Sequence, residues 1–273
     1  MNDMPKAAKL NADPAKLCSR AADGEVLLGD GSAQAVTWQV PEEVPVAIQY
    51  NSEPYTVMMA TPADLRDFAV GFSLAEAILK DAADIKGVLV MPVENGLTVD
   101  VAVADGGLDK TKLVRRTMEG RSGCGLCGIE DIADAIKPLR PVAHHFAPSV
   151  DAILKAAQTL PSMQPMNRFN HTVHAAAWVS PEGEIQIVRE DVGRHNALDK
   201  LIGALALSKT DTARGFVLMS SRCSYELVQK AAIAGLPALV TVSAPTALAL
   251  DLAKRAKIFL GCLGSGGVVV FNR

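Results

Sequence analysis

Two thiols in a glycine-rich run, Arg121-Ser122-Gly123-Cys124-Gly125-Leu126-Cys127-Gly128, are the residues whose types and spacing most plainly suit chemistry. Glycine costs backbone entropy and contributes nothing to a core, so packing does not explain glycines around and between two cysteines. A sulfur that must reach a partner does. Residues Ile129 to Ile136 have the pattern of a helix, whose N-terminus would lower the pKa of a neighbouring thiol.

Such a pair could hold zinc, cycle as a dithiol or carry sulfur. Structural zinc needs four ligands and C-x-x-C supplies two; His144 and His145 are adjacent rather than spaced, and Cys18, Cys223 and Cys262 are isolated. No tightly bound metal is expected. A thioredoxin-type dithiol belongs at the end of a strand opening a βαβ unit, whereas here a basic stretch (Lys110, Lys112, Arg115, Arg116) comes first. That stretch suits either a solvated helix face or an anion contact. Zinc deaminase chemistry needs a glutamate beside a histidine and P-C-x-x-C downstream. His174-Ala175-Ala176 lacks the acid, and Pro237 and Pro245 have no adjacent cysteine, so His174 is expected to be packed or ligand-facing. Redox cycling stays open as a secondary reading, and sulfur transfer leads: one thiolate of the pair would accept sulfur as a persulfide, and the other would release it or protect it as a disulfide.

The remaining chain sets the context. It has 273 residues, enough for one large or two modest domains, and a net charge of −3, which argues against nucleic acid as a bulk partner. Five cysteines, an odd number, suit a reducing cytoplasm. Met1 to Pro14 contains no apolar signal-peptide core. Ala231 to Leu250 has no charged residue, yet Gly235-Leu236-Pro237 and Ala244-Pro245 divide it into pieces of buried α/β core rather than a membrane helix.

The patterning predicts three parts. Residues 1–34 read as a tail or arm; 35–143 as an α+β module ending in the cysteine loop; 144–273 as an α/β domain. In the module, strands 44–50 and 55–60 form a hairpin. A helix follows, capped by Thr61, with Pro62 at its first position, Asp64 as the capping-box acid, and Leu65, Phe68, Ala69, Phe72, Ala75 and Leu79 on one face. A second hairpin spans 88–91 and 97–103. In the C-terminal part, helices near 150–160, 195–207, 225–234 and 246–257 alternate with strands at 174–179, 184–189, 215–219, 238–242, 258–263 and 268–271. The fold class is therefore α/β, a mixed sheet with helices on both faces, and its element order echoes the cytidine deaminases.

In such a sheet, ligands gather beyond the carboxyl ends of the strands. The joints there are polar: Glu190-Asp191-Val192-Gly193-Arg194-His195-Asn196, Ser220-Ser221-Arg222-Cys223-Ser224, and Ser243-Ala244-Pro245-Thr246. Arg194, His195, Ser220, Arg222, Ser243 and free helix amides would converge on an anion or phosphate, although Ser224, Ser243 and Thr246 could equally be helix caps. Gly264-Ser265-Gly266-Gly267 could bring bare backbone to the same ligand.

These residues resemble a known family. Cys124-Gly125-Leu126-Cys127-Gly128, His174-Ala175-Ala176-Ala177, the run Arg189 to Lys200, Ser221-Arg222, Glu226 to Ala232 and Val242 to Thr246 are similar to the formate dehydrogenase accessory sulfurtransferases, sulfur carriers of the FdhD/NarQ type. The resemblance runs from about Val36 to the C-terminus. It implies a deaminase-like fold, a cytoplasmic homodimer and the persulfide at Cys124, with Cys127 assisting. It also implies a cysteine desulfurase as donor, molybdenum bis(molybdopterin guanine dinucleotide) as the bound substrate, and formate dehydrogenase as the beneficiary. The alternative is a non-catalytic cofactor chaperone that uses its cysteines only for docking. The chain departs from the family at two places. Where members carry F-x-x-x-G-R, it reads Cys262-Leu263-Gly264-Ser265-Gly266-Gly267, so charge pairing must come from Arg222 or Arg194. Where members have a glycine-rich approach to His174, it reads Phe169-Asn170-His171-Thr172-Val173.

Overall fold

A computed structural model of the chain describes residues 14–109, 111, 113 and 139–273. Cys124, Cys127, the expected helix at 129–136 and the basic residues Lys110, Lys112, Arg115 and Arg116 lie outside the described residues.

The described residues open with a short helix, α1 (Pro14–Leu17), and a long hairpin, β1 (Ser19–Leu27) with β2 (Ala33–Pro41), paired in register from Ser19↔Pro41 to Leu27↔Ala33. This hairpin crosses the expected end of the arm at residue 34. Its strands bury almost nothing, so they lack the apolar alternation by which a strand is recognised. Among the described residues its anchoring lies at the base, where Ala15 and Cys18 pack with Met166 and Val173.

A four-stranded sheet follows, in the order β4-β3-β6-β5: β3 (Val44–Tyr50), β4 (Glu53–Ala60), β5 (Ile85–Val93) and β6 (Gly96–Val103). Two hairpins are joined by parallel pairing of β3 with β6. Helix α2 (Leu65–Ala75) covers one face, with Phe68, Ala69 and Phe72 set against Val46, Ile48, Val99 and Val101. It starts later than its sequence suggests. Asp64 is the N-cap, in the left-handed region at φ 51, and makes no side-chain cap bond; Leu79 falls beyond the last turn. Thr61 serves a different purpose, described below.

The second sheet has six strands in the order β12-β11-β10-β9-β7-β8. Its members are β7 (His174–Val179), β8 (Ile185–Asp191), β9 (Phe216–Met219), β10 (Ala238–Thr241), β11 (Phe259–Gly264) and β12 (Gly267–Asn272). β9, β10 and β11 run parallel, β7 is antiparallel to both β8 and β9, and β12 is antiparallel to β11. Before this sheet come α3 (Val150–Thr159) and a short helix, α4 (Pro165–Asn170), which the sequence pattern does not announce. Helices α5 (Arg194–Leu207), α6 (Tyr225–Ile233) and α7 (Ala247–Ala256) fill the connections. Leu198, Leu201, Leu227 and Leu252 pack on one face over Trp178, Val217 and Leu239; α3 covers the other with Ile153 and Ala156 against Ala177, Leu218 and Val240. Helices thus cover both faces of a mixed sheet.

The two sheets are held together by the crossing of α2 over α5. Gly71 and Gly203 meet there so closely that a Cβ on Gly71 would lie 1.7 Å from the Asp199 carbonyl oxygen, and one on Gly203 would lie 1.9 Å from that of Asp67. α5 is consequently buried on nearly every side, against α2 and against the sheet. No described helix is long and apolar enough to cross a membrane.

Candidate functional site at the carboxyl edge of the six-stranded sheet

Parallel β9, β10 and β11 end on the same edge, and α6 and α7 begin there. β8 ends beside them and leads through Val192-Gly193 into α5, while β7, running the other way, starts there at His174, paired with Asp191. This topology brings His174, Arg194, His195, Ser220, Arg222, Ser243 and Cys262 to Gly267 to one edge, although they come from distant parts of the chain. Their side chains do different things.

Ser220 Oγ accepts from Ala175 N (2.8 Å) and Ser220 N donates to Ala175 O (3.0 Å), so this residue extends the β7–β9 ladder. His195 is buried, its Nε2 lying 2.9 Å from Glu226 Oε2 and 3.2 Å from Ser224 Oγ. It faces into the protein between α5 and α6. Ser224 is the N-cap of α6 by backbone geometry, with its hydroxyl given to His195 rather than to a helix amide. Thr246 does cap α7, accepting from Ala249 N at 3.3 Å. Arg222, Ser243 and Gly264 to Gly266 are exposed, with Gly266 at φ +85 in the turn between β11 and β12. Cys262 is buried in β11 and Leu263 is half-buried.

The run Arg189 to Lys200 contains the densest set of ionisable residues, and most of them are structural. Asp191, with no side-chain exposure, accepts four hydrogen bonds: from Thr61 N (3.0 Å) and Lys200 Nζ (2.7 Å) at Oδ2, and from Gly193 N (2.8 Å) and Asn196 Nδ2 (3.0 Å) at Oδ1. Lys200, equally buried, also donates to the carbonyls of Thr61 (3.1 Å) and Glu190 (3.2 Å). Glu190 accepts from Met166 N and Asn167 N at the start of α4; burial raises its pKa against those bonds. Arg189 Nε donates to Asp67 on α2 at 2.7 Å. Further along, Lys230 of α6 bridges Asp199 (2.9 Å) and Glu76 (3.3 Å), while burial pushes the Asp199 carboxyl up to about 6 against the pull of Lys230. Asp191 with Lys200, and Lys230 with Asp199 and Glu76, are thus paired, and Glu190 is held by two amides, as the cost of desolvation requires.

Arg194 is the exception within the run. It stands at the first position of α5, and its Nε is buried without a hydrogen-bond partner. Half-buried His174 lies close enough that the guanidinium, after burial itself, pushes the imidazole pKa down and favours the neutral ring. A guanidinium with an unspent donor, exposed Arg222, and the N-termini of α5, α6 and α7 make this edge electropositive, because the nearby acids Asp191 and Glu226 are already paired. The arrangement can bind an anion with oxygen acceptors.

None of the described cysteines is suited to reaction. Cys18 is pushed up to about 11 by burial, Cys223 to about 12 by burial and by the nearby Cys262 thiol, and Cys262 upward by burial. Sulfur chemistry proceeds through the thiolate, so these three are protonated and shielded at neutral pH. In the native protein at pH 7.5, iodoacetamide is expected to leave Cys18, Cys223 and Cys262 unmodified, and to alkylate them fully after denaturation. Peptide mass mapping of the two samples checks this; native labelling of Cys223 would contradict the burial argument.

Comparison with known proteins now bears on the same residues. The model of the FdhD/NarQ family matches residues 41–271. The chain belongs to the FdhD/NarQ family. Relatives include the sulfur carrier protein FdhD of Bordetella petrii, 43% identical over 256 residues that cover 93% of this chain and 92% of the relative. That of Xanthomonas euvesicatoria pv. vesicatoria is 46% identical over 231 residues, covering 84% and 82%. The crystal structure of a protein described as a formate dehydrogenase accessory protein from Desulfotalea psychrophila superimposes with a TM-score of 0.74 at 25% identity, covering 94% of this chain and 97% of that one.

The family match includes the long polar run from Arg189 to Lys200. Its structure explains why so many polar residues sit together: Asp191, Asn196, Asp199 and Lys200 hold the two sheets in register, and Arg194 alone keeps a donor unspent. The spacing does not announce the two buried clusters, Asp191 with Asn196 and Lys200, and Lys230 with Asp199 and Glu76. A signal was present, since Asp199-Lys200 interrupts the apolar run from Ala197 to Leu207, where two solvated charges would have no place.

The flanks of the cysteine-bearing segment are also located. Asp109 N donates to Ile78 O (2.8 Å), and Val142 N donates to Ala256 O (2.9 Å) at the end of α7. Between them opens a cavity of about 960 Å³ lined by Leu74, Asp109, Arg140, Leu205 and Leu236. Leu236 precedes β10 and Leu205 lies in the last turn of α5. This cavity therefore lies at the amino ends of the parallel strands, opposite the polar edge.

Proposed function

We propose that this chain is a cytoplasmic sulfur carrier that receives sulfane sulfur from a cysteine desulfurase on Cys124 and delivers it to molybdenum bis(molybdopterin guanine dinucleotide), its bound substrate, for use by formate dehydrogenase. The observation that carries the reading is the cysteine inventory. Cys18, Cys223 and Cys262 are buried with raised pKa values, which leaves the glycine-flanked Cys124 and Cys127 as the reactive pair. The names of the relatives, sulfur carrier proteins and a formate dehydrogenase accessory protein, point the same way.

The chemistry balances on this pair. Cys124 thiolate attacks the terminal sulfur of the donor's persulfide, forming one S–S bond and releasing the donor thiolate. Cys127 thiolate then attacks Cys124 Sγ. Formation of the Cys124–Cys127 disulfide supplies the two electrons that release the carried sulfur to the substrate as hydrosulfide, and an external dithiol, itself oxidised to a disulfide, must reduce the pair for another turn.

The phosphate-bearing arms of the substrate would lie on the carboxyl edge of the six-stranded sheet, facing Arg194, Arg222, His174, Ser243 and the backbone of Gly264 to Gly267. Arg194 with its unspent donor supports this placement. Cys124 stands 15 residues from Asp109 and 15 from Leu139. Fully extended, either arm reaches about 50 Å, well beyond the length of strands of four to six residues, so covalent connection permits contact with the far edge. Division into a 35–143 module and a deaminase-like 144–273 domain, working as a homodimer, completes the reading.

Incubation with a cysteine desulfurase and cysteine should add one sulfur to the wild-type chain by intact mass, and none to Cys124→Ala. Absence of the added sulfur on the wild type would overturn the carrier role. If Cys124→Ala restored formate dehydrogenase activity in a strain lacking the gene, the chain would be a cofactor chaperone instead.

A further inference from the structure

We infer that Thr61 is a positioning residue for the ligand-binding edge, acting through Val192 and Arg194; this rests on the placement of the ligand proposed above. By sequence Thr61 reads as a helix cap. In the structure it caps nothing: α2 begins four residues later, at Leu65, with Asp64 as its N-cap. Its amide and hydroxyl are turned instead to the strand end and loop of the other sheet, and its carbonyl, which also accepts from Ala63 N (2.8 Å), meets Lys200 of α5. Thr61 N donates to Asp191 Oδ2 (3.0 Å), Thr61 O accepts from Lys200 Nζ (3.1 Å), and Thr61 Oγ1 accepts from Val192 N (3.1 Å). The residue has no exposed surface.

The last of these bonds is the informative one. Val192 and Gly193 are the two residues between β8 and α5, and their amides are held in succession, Val192 N by Thr61 Oγ1 and Gly193 N by Asp191 Oδ1 (2.8 Å). Gly193 is the N-cap of α5 in extended conformation and has no side chain with which to fix the helix start. External acceptors therefore set where α5 begins and where Arg194 points. Asn196 reinforces them, its Nδ2 donating to Met59 O (2.8 Å) and Asp191 Oδ1 (3.0 Å). The β4–α2 junction thus braces the one guanidinium of the run that is free to meet an anion. The strand–helix unit that continues into the cysteine-bearing part of the chain thereby also shapes the edge on which the sulfur acceptor would lie.

The test is titration calorimetry of the full chain with GDP, standing for one arm of the substrate, well below every variant's melting temperature. Thr61→Val keeps the shape and both backbone bonds but leaves Val192 N–H without its acceptor. It should weaken GDP binding about five-fold or more, the equivalent of one hydrogen bond's worth of positioning. Thr61→Ser, which keeps the hydroxyl, should bind within about two-fold of the wild type. Arg189→Gln breaks a different link between the same two sheets, so it should lower the melting temperature and leave GDP affinity unchanged. If Thr61→Val does not fold, Thr61→Ala carries the same expectation. A Thr61 variant that melts earlier yet binds GDP like the wild type would overturn the inference and leave the ligand reading standing. A wild-type chain that does not bind GDP would overturn both.

Discussion

Gly71→Ala and Gly203→Ala are each expected to lose about 3 kcal/mol or more of stability, at or beyond the upper end for overpacking a core. A new Cβ at Gly71 would sit 1.7 Å from the Asp199 carbonyl oxygen and 2.6 Å from Gly203 N; at Gly203 it would sit 1.9 Å from Asp67 O. These are backbone atoms, so no rotamer change relieves the clash and the two helices must separate. Separation would also stretch the Lys230 bridge from Asp199 on α5 to Glu76 at the end of α2. Thermal unfolding followed by circular dichroism should show a fall of roughly 10 °C, or loss of soluble protein. Gly261→Ala, whose Cβ would meet a carbonyl oxygen no closer than 3.2 Å, should be much milder. A Gly203→Ala protein with wild-type melting would show that the crossing is looser than described.

Lys200→Met is expected to cost about 3–5 kcal/mol, because it strands the carboxylate of Asp191 in a site with no solvent access. The three other donors, from Thr61, Gly193 and Asn196, remain but carry no full charge. Adding Asp191→Asn should recover part of the loss: it removes the uncompensated charge and keeps a carbonyl oxygen for one or two of those donors. The double mutant should therefore be more stable than Lys200→Met alone in urea unfolding, a strongly non-additive pair. Additive losses would mean that the carboxylate is solvated in the folded chain.

Both effects arise in residues whose sequence context suggests something else. The run from Arg189 to Lys200 reads as ligand-binding, and His195 and Arg194 were expected to face an anion together. His195 faces Glu226 and Ser224, and only Arg194 keeps an unspent donor. Position along a helix allows either outcome, because residues 194 and 195 are about 100° apart on its surface and the neighbouring element decides which is covered. Likewise Thr61-Pro62-Ala63-Asp64 has the composition of a helix start. The left-handed conformation at Asp64 delays the helix to Leu65 and turns Thr61 toward a partner 131 residues away.

What the sequence by itself determined is the local and periodic part of this protein. The strands near 44–50, 97–103 and 174–179, the helices over 150–159 and 225–233, and the alternation that makes a mixed sheet all follow from apolar spacing and turn residues, which act over a few positions. The glycine-flanked pair Cys124 and Cys127, the site proposed for sulfur transfer, stands out for the same reason, since its glycines are neighbours in sequence. The partners of the buried charges were decided only by tertiary structure. Asp191 meets Thr61, Lys230 meets Glu76, and Gly71 meets Gly203 because two sheets dock through one helix crossing, and no local pattern encodes which charge lies opposite which. The exposed hairpin β1–β2 escaped detection for the converse reason: with almost nothing buried, its strands have no apolar alternation to reveal them.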